Sequence, residues 1–422
     1  MAGSDSQANP IRYPNCLAHV CSRWRAVALS SPSLWTHIDL TSDISIGGGF
    51  LDRACAYVER AGKLPLEVHL DDKGCAGDHD YYDLGSMIQS LSSRVKELDF
   101  VITAPKLLDF HGAVLNSIFP DLSPKGFKKL RMSSQASLPY PFLSGSDGRA
   151  NSDGHEWSPN ILKWQNYVID GCFSGVNNIH LQGIFFAWSR KLYHGLVDLR
   201  LTSSPTGRVP IIGALDLIAI LLKSPELRIL HFSLGINMPE DTDNSWSPVS
   251  LPNLEVVRVS TSRVWSYAAT LFRLLKPGSK PLRLTLETGS YEPLLDRGGL
   301  NEFVARSKVE RLCIRDGNLS MNELRLCNLP DLKVLVFDSC HQLTIEPVPT
   351  SPSRWNSCLI HATRLNLYQL RSIPRVVIKQ CARQGRKAWG PKADREICAI
   401  KAIILACSLS IQIGQGDLVQ GS

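Results

Sequence analysis

No C-x-x-C pair occurs among the twelve cysteines of this 422-residue chain, so a zinc ribbon or a thioredoxin-type redox site has no support. The cysteines run from Cys16 to Cys407 with no pairing logic. Free thiols imply a reducing, intracellular setting, cytoplasmic and/or nuclear. The chain also lacks an apolar run of the roughly 18 residues that a membrane span needs. Its most apolar segment, "AIKAIILACSLSIQI" (Ala399 to Ile413), is shorter and carries Lys401. The opening "MAGSDSQANP" is polar and has no signal-peptide core. No membrane partner is expected.

Signatures of chemistry are missing as well. There is no G-x-S-x-G and no Walker loop, and "GCFSGV" (Gly171 to Val176) has the wrong spacing for the former. The "GGG" at 47–49 follows no strand-like run and reads as a flexible joint. "DDKGCAGDHD" (Asp71 to Asp80) gathers acids, a cysteine and a histidine, and reads as a solvated loop rather than a metal site. His180 and His231 stand alone without ligand spacing. The expectation is a protein with no catalytic, cofactor or metal residues, hence not an enzyme.

What is present is a globular composition, 44% hydrophobic and 20% charged, long enough for one large or two ordinary domains. The formal net charge of +7 is mild and spread along the chain, which permits acidic partners without demanding nucleic acid.

A short pattern recurs: apolar, two others, apolar, one other, apolar. It occurs as "VKELDF" (Val95 to Phe100), "FKKLRM" (Phe127 to Met132), "VNNIHL" (Val176 to Leu181), "LVDLRL" (Leu196 to Leu201) and "LRILHF" (Leu227 to Phe232). It continues as "LEVVRV" (Leu254 to Val259), "PLRLTL" (Pro281 to Leu286), "VERLCI" (Val309 to Ile314) and "LKVLVF" (Leu332 to Phe337). "LEVHL" (Leu66 to Leu70) and "ATRLNL" (Ala362 to Leu367) are weaker members. Most neighbours lie about 20 to 32 residues apart, close to leucine-rich-repeat periods. The last three places of each match alternate, as a strand with one buried face does.

Helical stretches that stop at proline lie between the matches, clearest in "GALDLIAILLKSP" (Gly213 to Pro225), "AATLFRLLKPG" (Ala268 to Gly278) and "AVLNSIFP" (Ala113 to Pro120). Two α/β readings remain. One is a stacked solenoid with a parallel sheet on its concave side and helices outside. The other is an ordinary α/β fold, whose strands are usually apolar on both faces. Arg131, His180, Arg200, His231 and Arg258 between the apolar places favour the solenoid.

Near the start, "VCSRWRAVALSSPSLW" (Val20 to Trp35) reads as two helices. Leu17, Val20, Cys21, Trp24 and Val27 share the face of one over 17–29. Ser31 is a plausible N-cap and Pro32 the first residue of a second over 32–36, with Trp24 and Trp35 close together.

With these parts in hand, the chain resembles the F-box/leucine-rich-repeat proteins, especially those abundant in mushroom-forming fungi. "HVCSRWRAVALSSPSLWTHIDL" (His19 to Leu40) is similar to the second half of an F-box through Val20, Cys21, Trp24, Pro32, Leu34 and Trp35. "LKVLVFDSC" (Leu332 to Cys340) carries a full repeat signature. The resemblance implies the substrate-recognition subunit of an SCF-type cullin–RING ubiquitin ligase. Leu17, Val20, Cys21, Trp24, Pro32, Leu34 and Trp35 then face a Skp-type adaptor, and the repeats hold a protein substrate. The family's Leu-Pro-x-Glu helix start is not matched before Cys16, so the expectation is a partial F-box with weak adaptor binding. The alternative is a leucine-rich-repeat binding protein outside any ligase.

The expected organisation is a disordered N-terminus (1–14), a partial F-box (15–45), a solenoid (46–375) with an exposed insertion near 143–158, and a basic then apolar tail (376–422). Within the tail, "RQGRKAWGPKADR" (Arg383 to Arg395) reads as solvated or as a nuclear-import signal. On a solenoid, the third and fifth places of each match look across the concave face. Acids gather in the first of them, Glu97 and Asp99, while Lys129, Arg131, Arg200, Arg258, Arg283, Arg311 and Arg364 make the rest basic. Either this is a solvated strand face, or it receives an acidic or phosphorylated protein segment. Nucleic acid is disfavoured, because those places hold almost no aromatics for base stacking.

Overall fold

The computed structural model describes residues 13–41, 49–72, 82–139, 141–143, 162–206, 209–238, 247–261, 266–288, 297–315, 318–320, 329–338, 342–344, 375–379 and 410–414. The chain is α/β and divides into two compact units, 1–210 and 211–422.

The first unit opens with α1 (Tyr13–Val20) and α2 (Ser22–Leu29). Sequence periodicity favours one helix over 17–29, but the chain breaks at Cys21, which is extended at φ −162° and ψ 171°. Val20, Cys21 and Ser22 are all weak helix formers in succession. The break leaves open carbonyls at the end of α1, and Arg25 Nε donates to one of them, Ala18 O, at 2.9 Å. Helix α1 also reaches back to Tyr13, inside the segment expected to be disordered. A 3₁₀ turn, Pro32–Trp35, follows. Ser31 does not cap it: its Oγ donates backwards to Val27 O at 2.7 Å.

Six strands then build a parallel sheet: β1 (His37–Thr41), β2 (Leu66–Asp71), β3 (Val95–Ile102), β4 (Lys129–Ser134), β5 (Asn178–Gln182) and β6 (Asp198–Thr202). Each pairs with the next in chain order. The sheet thus begins at His37, within the stretch assigned to the F-box. Between the strands lie α3 (Gly49–Ala61), α4 (Tyr82–Leu91), α5 (Asp109–Ile118) and α6 (Asn166–Cys172). Gly62 ends α3 at φ +59°, a left-handed conformation that glycine adopts without steric cost.

The second unit repeats the scheme with β7 (Ile229–Phe232), β8 (Val256–Thr261), β9 (Leu282–Thr288), β10 (Val309–Arg315) and β11 (Val334–Asp338), again parallel and in chain order. Backbone strands Arg375–Lys379 and Ser410–Gly414 continue the pairing inside the region expected to end the repeats and form the tail. Its helices are α7 (Ala214–Leu222), α8 (Ser266–Leu274) and α9 (Arg297–Ala305). Helices α8 and α9 approach closely at Gly299, where a Cβ would stand 2.4 Å from Ala269 O.

Every fully described match in the 95–314 range buries its fourth and sixth places. Leu98, Phe100, Leu130, Met132, Ile179, Leu181, Leu199, Leu201, Leu230, Phe232, Val257, Val259, Leu284, Leu286, Leu312 and Ile314 are all buried. Each such side chain contributes roughly 1.5–3 kcal/mol of transfer free energy. Residues within and on either side of the longest gap between matches add an aromatic core. Phe173 packs on Phe119 at 5.2 Å and Phe186 at 5.5 Å, and Trp188 on Phe142 at 5.3 Å.

One expectation is corrected in this core. Asp72, read as part of a solvated loop, is 2% exposed. Its carboxylate accepts hydrogen bonds from Thr103 N–H at 2.6 Å, Thr103 Oγ1 at 2.5 Å, Ala104 N–H at 3.0 Å and His111 Nε2 at 2.9 Å. Leu108 N–H donates to His111 Nδ1 at 2.8 Å, which leaves Nε2 to carry the proton. Burial alone would raise the Asp72 pKa. The hydrogen bonds from His111, Thr103 and Ala104 outweigh it and hold the carboxyl at about 2.

Candidate functional site

Because strands pair in register, side chains at equivalent places form rows across each sheet. In the second unit the third-place row reads Val256, Arg283, Arg311, Val334. Arg283 and Arg311 are direct neighbours on adjacent strands, both exposed. Neither forms an ion pair among the described residues. Two like charges placed opposite each other repel, and the strand spacing of about 4.8 Å gives them no relief. The register seats two exposed arginines on neighbouring strands, and two guanidinium forks converging on one ligand would suit a phosphate or carboxylate.

Two other cations described on this unit's polar face are matched. Arg258 pairs with Glu287 at 2.6 Å, and Arg315 joins Glu287 at 3.1 Å and Asp338 at 3.2 Å. Cys313 lies in the row between Thr285 and Val336 and is buried. Burial pushes its thiol pKa up, with Arg315 opposing, which argues against a reactive thiolate.

In the first unit the described basic residues among those expected are neutralised by carboxylates on the same face. Lys129 stands beside Glu97 and bonds it at 2.9 Å, and Arg131 stands beside Asp99 at 3.4 Å. Arg200 grips Asp198 through Nε at 2.9 Å and Nη2 at 2.8 Å, and His180 reaches the same carboxylate at 3.1 Å. Burial acts to raise the Asp198 pKa, but the hydrogen bonds from His180 and Arg200 bring it below the ordinary range. Thus Lys129, Arg131, Arg200 and Arg258 are paired, Arg283 and Arg311 are not, and Arg364 lies outside the described residues, as does 144–161 in the expected insertion.

The first strands carry a feature that chain-order reading passes over. His37 and Asp39 on β1 and His69 on β2 come together on the polar face, and one ligand atom from each lies within 4.8 Å of the others. His37 and His69 are 32 residues apart, so only register joins them.

Of the residues assigned to the adaptor, Leu17 and Leu34 are half-buried and Cys21 and Pro32 are exposed. Val20 is 63% exposed, and Trp24, like its helix neighbour Val27, is 49% exposed. Trp35 is wholly buried. It meets Tyr57 edge-on at 5.0 Å with Arg60 4.4 Å from its ring, and its Nε1 donates to Ala28 O at 2.8 Å. Trp35 thus fastens α2 to α3, while Trp24 is half exposed.

No helix among the described residues is long and apolar enough to cross a membrane. Compared with known proteins, the chain matches no family model and no curated protein.

Proposed function

We propose that this chain is a substrate-recognition subunit of an SCF-type cullin–RING ubiquitin ligase, an F-box/leucine-rich-repeat protein. Its N-terminal helices dock on a Skp-type adaptor, and its repeats, stacked as a leucine-rich-repeat solenoid, hold an acidic or phosphorylated protein segment. The solenoid reading is supported by strands that follow chain order within each unit, without the strand-order reversal of a doubly wound sheet. It is supported also by the alternating burial of strands such as β2, β5 and β7.

The observation that carries the adaptor end is the division between the tryptophans. The stretch resembling an F-box buries Trp35 against its own fold and leaves Val20, Trp24 and Val27 in solvent. Exposed apolar side chains grouped on a short helical element are typical of a partner surface. A buried interfacial tryptophan commonly costs 2 kcal/mol or more when truncated, about thirty-fold in affinity.

The test is co-expression of the full chain with a Skp-type adaptor, followed by size-exclusion chromatography and titration. A one-to-one complex, weak compared with that of a complete F-box and weakened at least ten-fold by Trp24→Ala, is expected. No complex, or one indifferent to Trp24→Ala, removes the ligase role and leaves a repeat protein acting by binding alone.

A further inference from the structure

The polar edge of the first three strands holds two histidines surrounded by carboxylates. His37 faces Glu67 in register, and Asp39, His69 and Asp99 form one row. The imidazoles lie 4.1 Å apart between ring centroids, tilted by 37°. His37 Nε2 is 3.5 Å from Asp39 Oδ1, and His37 Nδ1 is 3.6 Å from Glu67 Oε2. His69 Nδ1 is 3.5 Å from Asp99 Oδ2.

None of these distances makes a strong hydrogen bond, and two atoms are left orphaned. His37 Nε2 and Asp99 Oδ1 are buried with no hydrogen-bond partner. A buried polar atom without a partner costs free energy, so the arrangement calls for an explanation.

We infer that His37, Asp39 and His69 form a binding site for a divalent first-row transition ion such as Zn²⁺. The carboxylates divide into two roles. Asp39 joins His37 Nε2 as a ligand from β1. Glu67 lies 3.6 Å from His37 Nδ1, and Asp99, which Arg131 also approaches at 3.4 Å, lies 3.5 Å from His69 Nδ1; a small rotation on metal binding would bring each into hydrogen-bond range of Nδ1 and turn Nε2 to the ion. A carboxylate behind a ligating imidazole fixes the ring and raises its basicity.

Two imidazoles and one carboxylate form a nitrogen and oxygen set that suits zinc or a similar ion, and a fourth position stays open to water. The ligand atoms lie within 4.8 Å of one another. A tetrahedral site with bonds near 2.0 Å places them roughly 3.3 Å apart, a distance reached by small side-chain rotations. The side chains of His37 and His69 are about a third exposed, at 32% and 37%, so an ion can enter from solvent. Bound there, it clamps β1 to β2 immediately after Trp35. The sequence reading expects no metal residues, and His37 and His69 stand 32 residues apart in the chain.

The experiment uses the full chain with Cys16, Cys21 and Cys55 changed to serine, since these exposed thiols compete for metal. After chelation, the protein is titrated with Zn²⁺ by calorimetry and with Co²⁺ by visible absorption. One ion per chain is expected, with Co²⁺ bands free of thiolate charge transfer. His37→Gln and His69→Gln should each weaken binding about 100-fold, and Asp99→Asn about ten-fold. Zn²⁺ should raise the melting temperature of the parent and not that of His69→Gln, a comparison that holds if a variant is itself less stable. Absence of saturable binding overturns the site. So does binding that survives both histidine substitutions or carries thiolate charge transfer.

Discussion

Replacing Asp72 by Asn tests the buried network with the smallest change of shape. In the native fold Asp72 Oδ1 accepts from Thr103 N–H and Oγ1, and Oδ2 accepts from Ala104 N–H and His111 Nε2–H. An amide can satisfy the pair at one oxygen only. Its NH₂ then points at two donors. His111 cannot relieve the clash by changing tautomer, because its Nδ1 is needed to accept from Leu108 N–H. The cheaper rotamer turns the NH₂ to Thr103, whose hydroxyl can rotate to accept, and strands the Thr103 N–H; that hydrogen bond to a charged acceptor is worth roughly 1.5–3 kcal/mol, and the bonds that remain are to a neutral oxygen. Asp72→Asn is therefore expected to cost about 2–4 kcal/mol, a large part of the roughly 5–15 kcal/mol that keeps a typical domain folded.

The pH dependence carries its own sign. The Asp72 pKa is lowered from 3.8 to about 2 on folding, so the unfolded chain binds the proton more tightly. The stabilisation is complete above about pH 5 and is lost as pH falls through about 2; at 1.36 kcal/mol per unit it amounts to about 2 kcal/mol. Urea unfolding by far-UV circular dichroism, run from pH 7 down to pH 2, reads both effects. The difference between parent and Asp72→Asn should narrow between pH 4 and pH 2, while Asp198 and Glu97, also lowered on folding, cancel between the two proteins. A variant within 1 kcal/mol of the parent at pH 7, or a difference constant with pH, refutes the reasoning.

Three further substitutions separate structural from binding roles. Trp35→Ala removes a fully buried ring and its bond to Ala28 O and should cost about 3–5 kcal/mol in urea unfolding, whereas Trp24→Ala should stay within about 0.5 kcal/mol. Gly299→Ala would raise stability by up to about 1 kcal/mol if helix propensity decided the matter; because its Cβ meets Ala269 O at 2.4 Å, a loss of about 1–3 kcal/mol is expected instead. Arg311→Glu places an acid opposite Arg283 and should stabilise the fold by about 0.2–1 kcal/mol while abolishing capture of acidic or phosphorylated peptides; a loss of stability with binding intact shows that the pair is not an anion clamp.

The strands were legible because their signal is local. Alternation at the end of each match, as in Leu199-Arg200-Leu201, states which side chain is buried without knowledge of any neighbour. The three proline-stopped helices were legible for the same reason. Cys21 was not: the spacing of Leu17, Trp24 and Val27 holds across a helix whether or not one residue in the middle turns extended. Nor was Asp72, whose four donors come from residues 31 to 39 positions away and leave no mark around the acid itself.

Charge on the polar faces shows the same limit more sharply. A place in the repeat tells that Lys129, Arg200, Arg283 and Arg311 are outside the core, and nothing more. What each one meets depends on the row. Lys129 stands beside Glu97, and Arg200 shares a strand face with Asp198, so a face basic by count is largely neutral in space. Arg283 and Arg311 stand beside each other, so the same two charges that vanish in a total become a local concentration of positive potential. His37 and His69 follow the same logic, ordinary residues that acquire ligand spacing only when β1 lies against β2. Under the proposed function, the unit of recognition is a row across strands. Residues with mismatched neighbours in their row, uncompensated arginines or unbonded histidines, are where a partner or an ion has something to complete.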